Sequence, residues 1–205
     1  MNLQPITLSN PFVRLVPLTL AHVPALARVG LDPLLWSWIP APMSSDYEMR
    51  AWVETALDEQ GRGLALPFVI LDAASGEVIG STRYANIDAR NRRLEIGWTW
   101  LARSHQRSAA NTSAKRLLLA HAFDDLGTMR VELKTDALNQ QSRNAIARIG
   151  GVQEGIFRKH LITASGRVRD TVYFSILDTE WPAVRRTLDE RLAQGARPAP
   201  QPTAA

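Results

Sequence analysis

The spacing of apolar residues changes several times along the chain, and each change predicts a different element. Between residues 49 and 57, apolar residues recur three and four positions apart, which predicts an amphipathic helix. Ser45 and Glu48 stand at the start of this helix with the spacing of a capping box. From residue 66 to residue 101, apolar stretches alternate with short polar turns, as in an antiparallel meander. A further apolar stretch, 112–126, predicts a long helix that a glycine ends.

The predicted elements add up to a mixed sheet flanked by helices. Strands are expected at residues 12–17, 66–72, 77–87, 92–101, 130–135, 152–161 and 168–177. Helices are expected at residues 19–29, 46–60, 112–126, 140–149 and 180–193. This order predicts an α/β (α+β) fold with antiparallel strands first and a β-α-β crossover in the middle. We expect one domain, residues 5–193, and a flexible Pro/Ala-rich tail, residues 194–205.

Composition narrows the possible chemistry. The 205 residues include no cysteine, which excludes disulfides, a cysteine nucleophile and thiolate metal sites. The four histidines lack metal-ligand spacing, so we expect no metal. No apolar stretch reaches the roughly 18 residues of a membrane helix, and the N-terminus lacks the features of a secretory signal. We therefore expect a cytoplasmic protein with no membrane partner. The net charge of +4 permits an anionic ligand, but we do not expect a nucleic acid partner.

The stretch from residue 96 to residue 123 contains no Asp or Glu, although it holds four cations, Arg103, Arg107, Lys115 and Arg116. A helix start attracts anions because its N–H groups are free and its dipole is positive there, and ordinary helices place an acid in this position. A basic loop before a helix whose first turns contain no acid therefore indicates a phosphate site. The alternative is a buried strand and helix that are simply poor in acids. The loop lacks both the Walker and the Rossmann glycine patterns, which disfavours nucleoside triphosphates and dinucleotides.

Several segments carry a resemblance to a known family. They are EIGWTWL from residue 95, HQRSAANTSAKRLLLAHAFDDLG from residue 105, MRVELKTDALNQQSRNAIARIGGVQEG from residue 129 and GRVRDTVYFSILDTEWPAV from residue 166. The chain resembles the GNAT superfamily of N-acetyltransferases, in particular its ribosomal-protein N-terminal (alanine/serine) acetyltransferase branch. The resemblance covers about residues 11–191. It implies a twisted sheet with a V-shaped split that holds acetyl-CoA as the co-substrate.

The resemblance also implies which residues meet acetyl-CoA. The family's pyrophosphate loop reads Q/R-x-x-G-x-G/A, and residues 106–111 match it with Ala109 and Asn111 at the glycine positions. The backbone amides of this loop can still face phosphates, because an amide is independent of its side chain. By resemblance, the N–H groups around Trp98 and Thr99 polarise the thioester carbonyl. The cofactor set is Trp98, Thr99, Gln106, Arg107, Ser108, Ala109, Ala110, Asn111, Thr112, Asn139 and Ser142.

The family motif N-x-x-S/A falls on Asn139 and Ser142, which the resemblance places near the pantetheine and the thioester sulfur. Many members have a tyrosine four residues later as the general acid, and this chain has Ile146 there. Ser142 is then the candidate proton donor to the leaving thiolate. The alternative for Ser142 is a local hydrogen bond at the helix start.

Glu95 is the candidate general base. Strict alternation along its strand puts one group of residues on one face, Leu94, Ile96, Trp98 and Trp100, and a second group on the other, Glu95, Gly97 and Thr99. A carboxylate beside a glycine leaves room for a ligand or a water, so Glu95 could accept a proton from the amine. A peptide α-amine, with a pKa of about 7.7–8.0, needs only a weak base. The alternative is a structural ion pair between Glu95 and an arginine such as Arg92 or Arg83.

The expected function is direct acetyl transfer from acetyl-CoA to a primary amine. A protein or peptide N-terminus is the first candidate acceptor, by resemblance, and a small-molecule amine is the second. Trp36, Trp38 and Asp136 are candidate acceptor contacts, with packing and a turn cap as their alternatives. The resemblance also suggests a homodimer. One function of a different class stays open, that of a non-catalytic CoA- or RNA/ribosome-binding module.

Overall fold

The computed structural model describes residues 1, 3–38, 43–163 and 165–195. Eight strands form one sheet in the order β1-β2-β3-β4-β5-β6-β8-β7. They are β1 (Leu8–Ser9), β2 (Val13–Pro17), β3 (Leu66–Asp72), β4 (Val78–Asp88), β5 (Arg93–Leu101), β6 (Arg130–Asp136), β7 (Val152–Ile162) and β8 (Val168–Leu177). Neighbouring strands are antiparallel except β5 and β6, which run parallel. The predicted mixed, mostly antiparallel sheet is confirmed.

Five α-helices flank this sheet within the described residues. They are α1 (Val23–Gly30), α2 (Asp46–Gly61), α3 (Ala109–Ala120), α4 (Gln140–Arg148) and α5 (Trp181–Gly195). A π-helical turn, His121–Asp125, continues α3. The long elements follow the predicted order, and the two-residue β1 is an addition to it. The β5-α3-β6 segment is the crossover that makes β5 and β6 parallel.

The start of α3 differs from the prediction. The hydroxyl of Ser108 accepts a hydrogen bond from the backbone N of Ala110 at 3.2 Å, which caps the helix. The helix therefore begins at Ala109, three residues before the predicted start at Thr112. The basic loop is correspondingly shorter, and Lys115 lies in the second turn of the helix rather than at its start.

Apolar side chains bury both faces of the sheet. On one face, α3 packs over the central strands, and the Tyr84 hydroxyl donates to the carbonyl of Leu118 at 2.6 Å. On the other face, α1 and α2 pack over β3, β4 and the end of β5. Trp36, Trp52 and Trp100 form the centre of this second core, with ring centroids 5.5 to 6.4 Å apart. These two cores hold the strands that carry the candidate site.

The strict alternation predicted along β5 is wrong beyond Gly97. Trp98 has a φ of +52°, and the register with β4 shifts beside it, which is the geometry of a β-bulge. The bulge turns Trp100 into the core under α1 and α2, whereas Ile96 packs in the core under α3. Thr99 consequently faces α3 and not the face that Glu95 occupies.

The end of the chain is described only in part. Helix α5 continues to Gly195, two residues into the segment predicted as a tail, and residues 196–205 lie outside the described residues. Within the described part of the chain, no helix combines the length and apolarity needed to cross a membrane.

Candidate active site

The site lies where β5 and β6 separate. These parallel strands pair only at Arg93–Glu95 and Arg130–Glu132, and beyond that point they diverge. A cavity of about 410 Å³ fills the opening. Its lining residues are Trp38, Glu95, Ile96, Gly97, Trp98, Thr99, Asn111, Lys115, Leu133, Lys134, Thr135, Asn139, Ser142, Ala145, Ile146, Ile149, Leu161 and Arg169. The predicted V-shaped split is therefore present, and both Glu95 and Ser142 face it.

Glu95 is buried at the narrow end of the split. Its Oε2 accepts hydrogen bonds from Asn86 Nδ2 at 2.6 Å and from Lys134 Nζ at 2.8 Å. Its Oε1 lies 2.7 Å from where a Cβ on Gly97 would be, so the glycine makes the space that this oxygen occupies. Oε2 is thus held by two hydrogen bonds, whereas Oε1 has no hydrogen bond to the described residues. The ion pair involves a lysine of β6, not either arginine considered from the sequence.

The bulge forms the wall of the cavity next to Glu95. Residues 98 and 99 have no register partner on β4, and both line the cavity. The guanidinium of Arg83 lies 4.8 Å from the centre of the Trp98 ring, which fixes the indole on the α2 side. The Thr99 hydroxyl lies 2.8 Å from that of Thr82, on the α3 side. The backbone between Trp98 and Thr99 is thus out of register with β4. This is the point where the family resemblance places the carbonyl group of the thioester.

Lys115 extends from α3 into the cavity and is buried. Its Nζ donates a hydrogen bond to Thr99 Oγ1 at 2.7 Å. It has no ion pair with a carboxylate of the described residues. Burial lowers the pKa of Lys115 from 10.5 to about 7, and the charge of Glu95 opposes that change. The sequence placed Lys115 at a phosphate site, whereas the structure places it deeper, beside the bulge.

The buried Lys115 predicts a pH-dependent stability. Its pKa is about 7 when folded and 10.5 in the reference state, so between these pH values the unfolded chain binds more protons and stability rises with pH. Lys115→Met removes the cost of burying the charge, which is largest below about pH 7. We expect the ligand-free variant to melt roughly 4 °C or more above wild type near pH 6, with a smaller gain near pH 9.5. Exposed Lys159→Met is the control; an equal gain at both pH values would contradict this assignment.

The predicted pyrophosphate loop leads directly into α3. Arg107 has a φ of +61°, whereas Ala109 and Asn111 lie in the helix. The left-handed backbone of this loop is therefore at Arg107, so the alanine at a family glycine position causes no strain. The Gln106 amide donates to the Leu101 carbonyl at 3.1 Å and anchors the loop to the end of β5.

The start of α3 presents backbone N–H groups without an acidic residue in the first turn. The residues that form it are the cap Ser108 and the helical Ala109, Ala110, Asn111 and Thr112. Asn111 lines the cavity, and Ser108 donates its hydroxyl hydrogen to the His105 carbonyl at 2.7 Å. The helix start therefore opens beside the split, as a phosphate site there requires.

Two of the four cations of the acid-free stretch are neutralised by distant acids. Arg116 binds Asp189 of α5 through two hydrogen bonds of 2.7 and 3.2 Å. Arg103 lies 3.6 Å from Asp32. Arg107 is exposed and has no ion pair with the described residues. An anion at the start of α3 therefore meets one free arginine and the helix N–H groups.

Helix α4 supplies the opposite wall of the cavity. Asn139 caps it, and its Oδ1 accepts a hydrogen bond from the backbone N of Ser142 at 3.0 Å. The Ser142 hydroxyl makes no hydrogen bond to the described residues. Ile146, at the position where many relatives have a tyrosine, is buried in the lining. The wall thus offers one free hydroxyl and no phenol.

The two tryptophans predicted as acceptor contacts separate in the structure. Trp36 is buried among Trp52 and Trp100, and its indole N–H donates to the Gly30 carbonyl at 2.6 Å. Trp38 is partly exposed and lines the cavity. The rest of that loop, residues 39–42, lies outside the described residues. Trp38 is thus placed to contact an acceptor, and Trp36 is placed in the core.

Asp136, the third candidate acceptor contact, is buried, and both of its carboxylate oxygens interact with other residues of the chain. Its Oδ1 accepts from the backbone N of Leu138 at 2.9 Å, which is the turn cap considered from the sequence. Its Oδ2 pairs with Arg167 and lies 3.9 Å from Nε of Arg169. It is absent from the cavity lining. Its carboxylate therefore acts here as the counter-charge of two arginines of the β7–β8 hairpin.

We expect Asp136→Asn to lower the free energy of unfolding by about 1.5–3 kcal/mol, because it weakens the charge-assisted hydrogen bond to Arg167 and removes the counter-charge of the buried Arg169. Denaturant unfolding of the variant and of wild type would measure this difference. Asp170→Asn on the neighbouring strand β8 is the control, since among the described residues that carboxylate accepts only from the backbone N of Lys159. Equal loss in both variants would contradict the role given to the Asp136 ion pairs.

The cavity lining also includes residues that had no role in the sequence analysis, among them Lys134, Leu161 and Arg169. Lys134 could have been suspected, since it is a cation between Leu133 and Thr135, two buried residues of β6. Arg169 is buried, and burial lowers its pKa against the attraction of Asp136. The alternating charged residues along β6 and β8 were the available signal for Lys134 and Arg169. The residues that these charges pair with depend on the register between the strands, which the sequence does not specify.

Comparison with known proteins agrees with this geometry. Residues 13–152 match the family described as acetyltransferase (GNAT) domain. YdaF of Bacillus subtilis (strain 168), named provisionally as a ribosomal N-acetyltransferase, is 36% identical over 106 residues, 52% of this chain and 57% of that protein. The match thus spans less than two thirds of YdaF. The ribosomal-protein-serine acetyltransferase of Escherichia coli (strain K12) is 26% identical over 164 residues, 78% of this chain and 89% of that protein.

Comparison with solved structures also indicates similarity to acetyltransferases. The crystal structure of a GCN5-related N-acetyltransferase from Brucella melitensis has a TM-score of 0.84 and 32% identity, covering 91% of this chain and 85% of that chain. The family match covers more than half of the sequence and includes β5, α3 and β6, which form the split. The chain therefore belongs to the GNAT family of acetyltransferases, whose members use acetyl-CoA as the acyl donor.

Proposed function

We propose that this protein transfers the acetyl group of acetyl-CoA directly to a primary amine, and that the amine is the N-terminus of a protein or peptide. One observation carries the reaction type: a buried carboxylate with one uncommitted oxygen faces the split next to the β5 bulge. An amine that enters the split meets this oxygen, and Glu95 can accept its proton directly or through a water.

The residues around the split fit acetyl-CoA. The start of α3 has free N–H groups, no acid and an exposed Arg107, which suits a pyrophosphate. Asn111 and Asn139 line the cavity with amide groups that can bind the polar pantetheine chain. The chemistry that acetyl-CoA supplies is an activated acetyl thioester. Among the described residues there is no cluster of three or more metal-ligating side chains, and the proposal requires none.

The chain's own groups then perform three tasks: they stabilise the carbonyl oxygen, accept the proton of the amine and orient the two substrates. Residues 98 and 99, turned out of the ladder, offer backbone N–H groups to the carbonyl oxygen on which negative charge develops. Glu95 takes the proton from the nitrogen as it forms its new bond. Ser142, with its free hydroxyl, lies across the cavity. Orientation of both substrates in one cavity supplies the remaining acceleration.

The acceptor class is supported by the named relatives and by the space beyond Glu95. Two relatives carry ribosomal acetyltransferase names. A second cavity of about 850 Å³ lies nearby, between the end of β4 and strands β6, β7 and β8, and is lined by Arg93, Glu132, Phe157 and Tyr173 among others. Lys134 lies between the two cavities, since its Nζ pairs with Glu95 of the first and lies 5.9 Å from the ring centre of Tyr173 in the second. An extended peptide has room there, whereas a small amine would leave most of it empty.

The test has two parts. Calorimetry should show one-to-one binding of acetyl-CoA in the micromolar range, and thiol release should then be followed with peptides of differing first residues. Peptides with a free α-amine are expected to react, and the same peptides with a blocked N-terminus but a free lysine are not. Faster turnover of small polyamines than of any peptide would refute the acceptor class, and absence of acetyl-CoA binding would refute the reaction.

A further inference from the structure

Lys115 is a charged group that the proposed reaction has not yet used. It projects from the second turn of α3 into the split and is about nine-tenths buried, with 6% of its surface exposed. An ammonium group has three N–H donors, and Lys115 uses one of them, toward Thr99 Oγ1 at 2.7 Å. The other two have no acceptor among the described residues.

The charge of Lys115 has no direct counter-ion in the part of the chain that the structure describes. The charged groups that line the same cavity are Glu95 on β5, Lys134 on β6 and Arg169 on β8, and the lining residues of α4 are uncharged. Glu95 is committed to Lys134 at 2.8 Å. A buried ammonium without a paired anion is costly, and an anion that enters or forms in the cavity relieves that cost.

The proposed reaction generates such an anion in the split. When the carbon–sulfur bond of the thioester breaks, negative charge develops on the CoA sulfur. The bulge at residues 98 and 99 marks the carbonyl end of the thioester, and Lys115 is hydrogen-bonded to Thr99 of that same bulge. Its free donors are therefore within reach of the group that departs from the carbonyl.

We propose that Lys115 is a catalytic residue whose ammonium group faces the thioester sulfur and donates a proton to the CoA thiolate as it leaves. This inference rests on the proposed function. It assigns to Lys115 the proton transfer that the family resemblance implied for Ser142, and Ser142 then binds the substrate without donating the proton. The burial of Lys115 suits the task, because an acid whose pKa is about 7 transfers protons well near neutral pH.

The proposed step balances in atoms and charge. The acceptor nitrogen bonds to the carbonyl carbon, the carbon–sulfur bond breaks, and its electron pair stays on sulfur. One proton moves from Lys115 Nζ to that sulfur and gives the free thiol of CoA. The nitrogen gives its own proton to Glu95, which passes it to water, and neutral Lys115 takes a proton back from water.

The decisive experiment measures the thiol of CoA bound to the protein, which requires no acceptor. Thiolate absorbance in the ultraviolet is titrated for CoA bound to wild type and to Lys115→Met. A cation within about 4–6 Å lowers a thiol pKa by roughly 1–3 units, so at pH values up to about 7, where Lys115 is charged, we expect a larger thiolate fraction of bound CoA in wild type than in Lys115→Met. Acetyl-CoA, whose sulfur is uncharged, should bind both proteins within about threefold.

Kinetics give a second readout. Lys115→Met should lower kcat by about 10²–10³-fold, in the range for loss of a general acid. In wild type, kcat should fall on the alkaline side as Lys115 loses its proton. Lys115→Arg keeps a cation that does not deprotonate in the usable pH range, so this fall in kcat should disappear in the variant. Lys159→Met is the matched control, and both its kcat and its bound-thiol titration should equal those of wild type.

Two results would overturn the proposal. One is the same ionisation of bound CoA in wild type and Lys115→Met. The other is transfer of the acetyl group to Lys115 itself, seen by mass spectrometry after incubation with acetyl-CoA, since the lysine would then act as a nucleophile. A bound thiol that titrates as expected in a protein that acetylates none of the tested peptides would uphold Lys115 and reject only the acceptor assignment.

Discussion

Replacing Glu95 with glutamine is expected to lower kcat for peptide acetylation by about 10²–10⁴-fold, the usual contribution of a positioned general base. Glutamine keeps the size of the side chain, and its carbonyl oxygen can still accept from Asn86 and Lys134. Lys134 loses its counter-charge, but it is partly exposed and remains hydrated. The Kd for acetyl-CoA should therefore change by no more than about twofold, because the variant lacks only a proton acceptor.

Steady-state kinetics with a reactive peptide, together with calorimetry for acetyl-CoA, would measure both effects. Glu54→Gln is a suitable control, since Glu54 is an exposed residue of α2 whose one ion pair within the described residues is with Arg50, at 3.8 Å. Its kcat should equal that of wild type. If Glu95→Gln turns over as fast as wild type, a water held by backbone groups is a sufficient base, and Glu95 is only the partner of Lys134.

The order of elements could be predicted because it depends on local periodicity. Each long strand and helix has an apolar pattern that buries one face against a neighbour, and the loops between them contain turn residues. The parallel pair followed from β5-α3-β6, since a helix between two strands brings them side by side in the same direction. The position of Glu95 at the split follows from the same topology.

The finer features of the site depend on contacts that no local pattern records. The bulge at Trp98 adds one residue to a strand in which Trp98 and Trp100 are both apolar, so the pattern looks the same on either face. The Glu95–Lys134 pair depends on the register between β5 and β6, which the sequence does not specify. Lys115 resembles a solvated helix residue until the packing of α3 on the sheet buries it.

The acid-free start of α3 supports a second prediction, in which stability and binding change in opposite directions. Ala109 is the first residue of α3, and no residue of its first turn is acidic. An acid at such a position stabilises a helix by about 0.3–1 kcal/mol. We therefore expect Ala109→Glu to raise the Tm of the ligand-free protein by about 1–3 °C. The absence of an acid in the natural sequence is thus expected to cost stability, and the proposed binding of an anion there would explain it.

The same substitution should lower the affinity for acetyl-CoA by about 10–100-fold, because it places a carboxylate where the helix N–H groups would meet the pyrophosphate. Calorimetry at low and high salt would measure this, and the loss should shrink as salt screens the repulsion. The control is Ala183→Glu, which puts an acid in the first turn of α5, a helix that also has none. It should raise Tm similarly and leave the affinity unchanged. If Ala109→Glu binds acetyl-CoA as tightly as Ala183→Glu does, the phosphates do not lie at α3, and the acid-free stretch reflects burial alone.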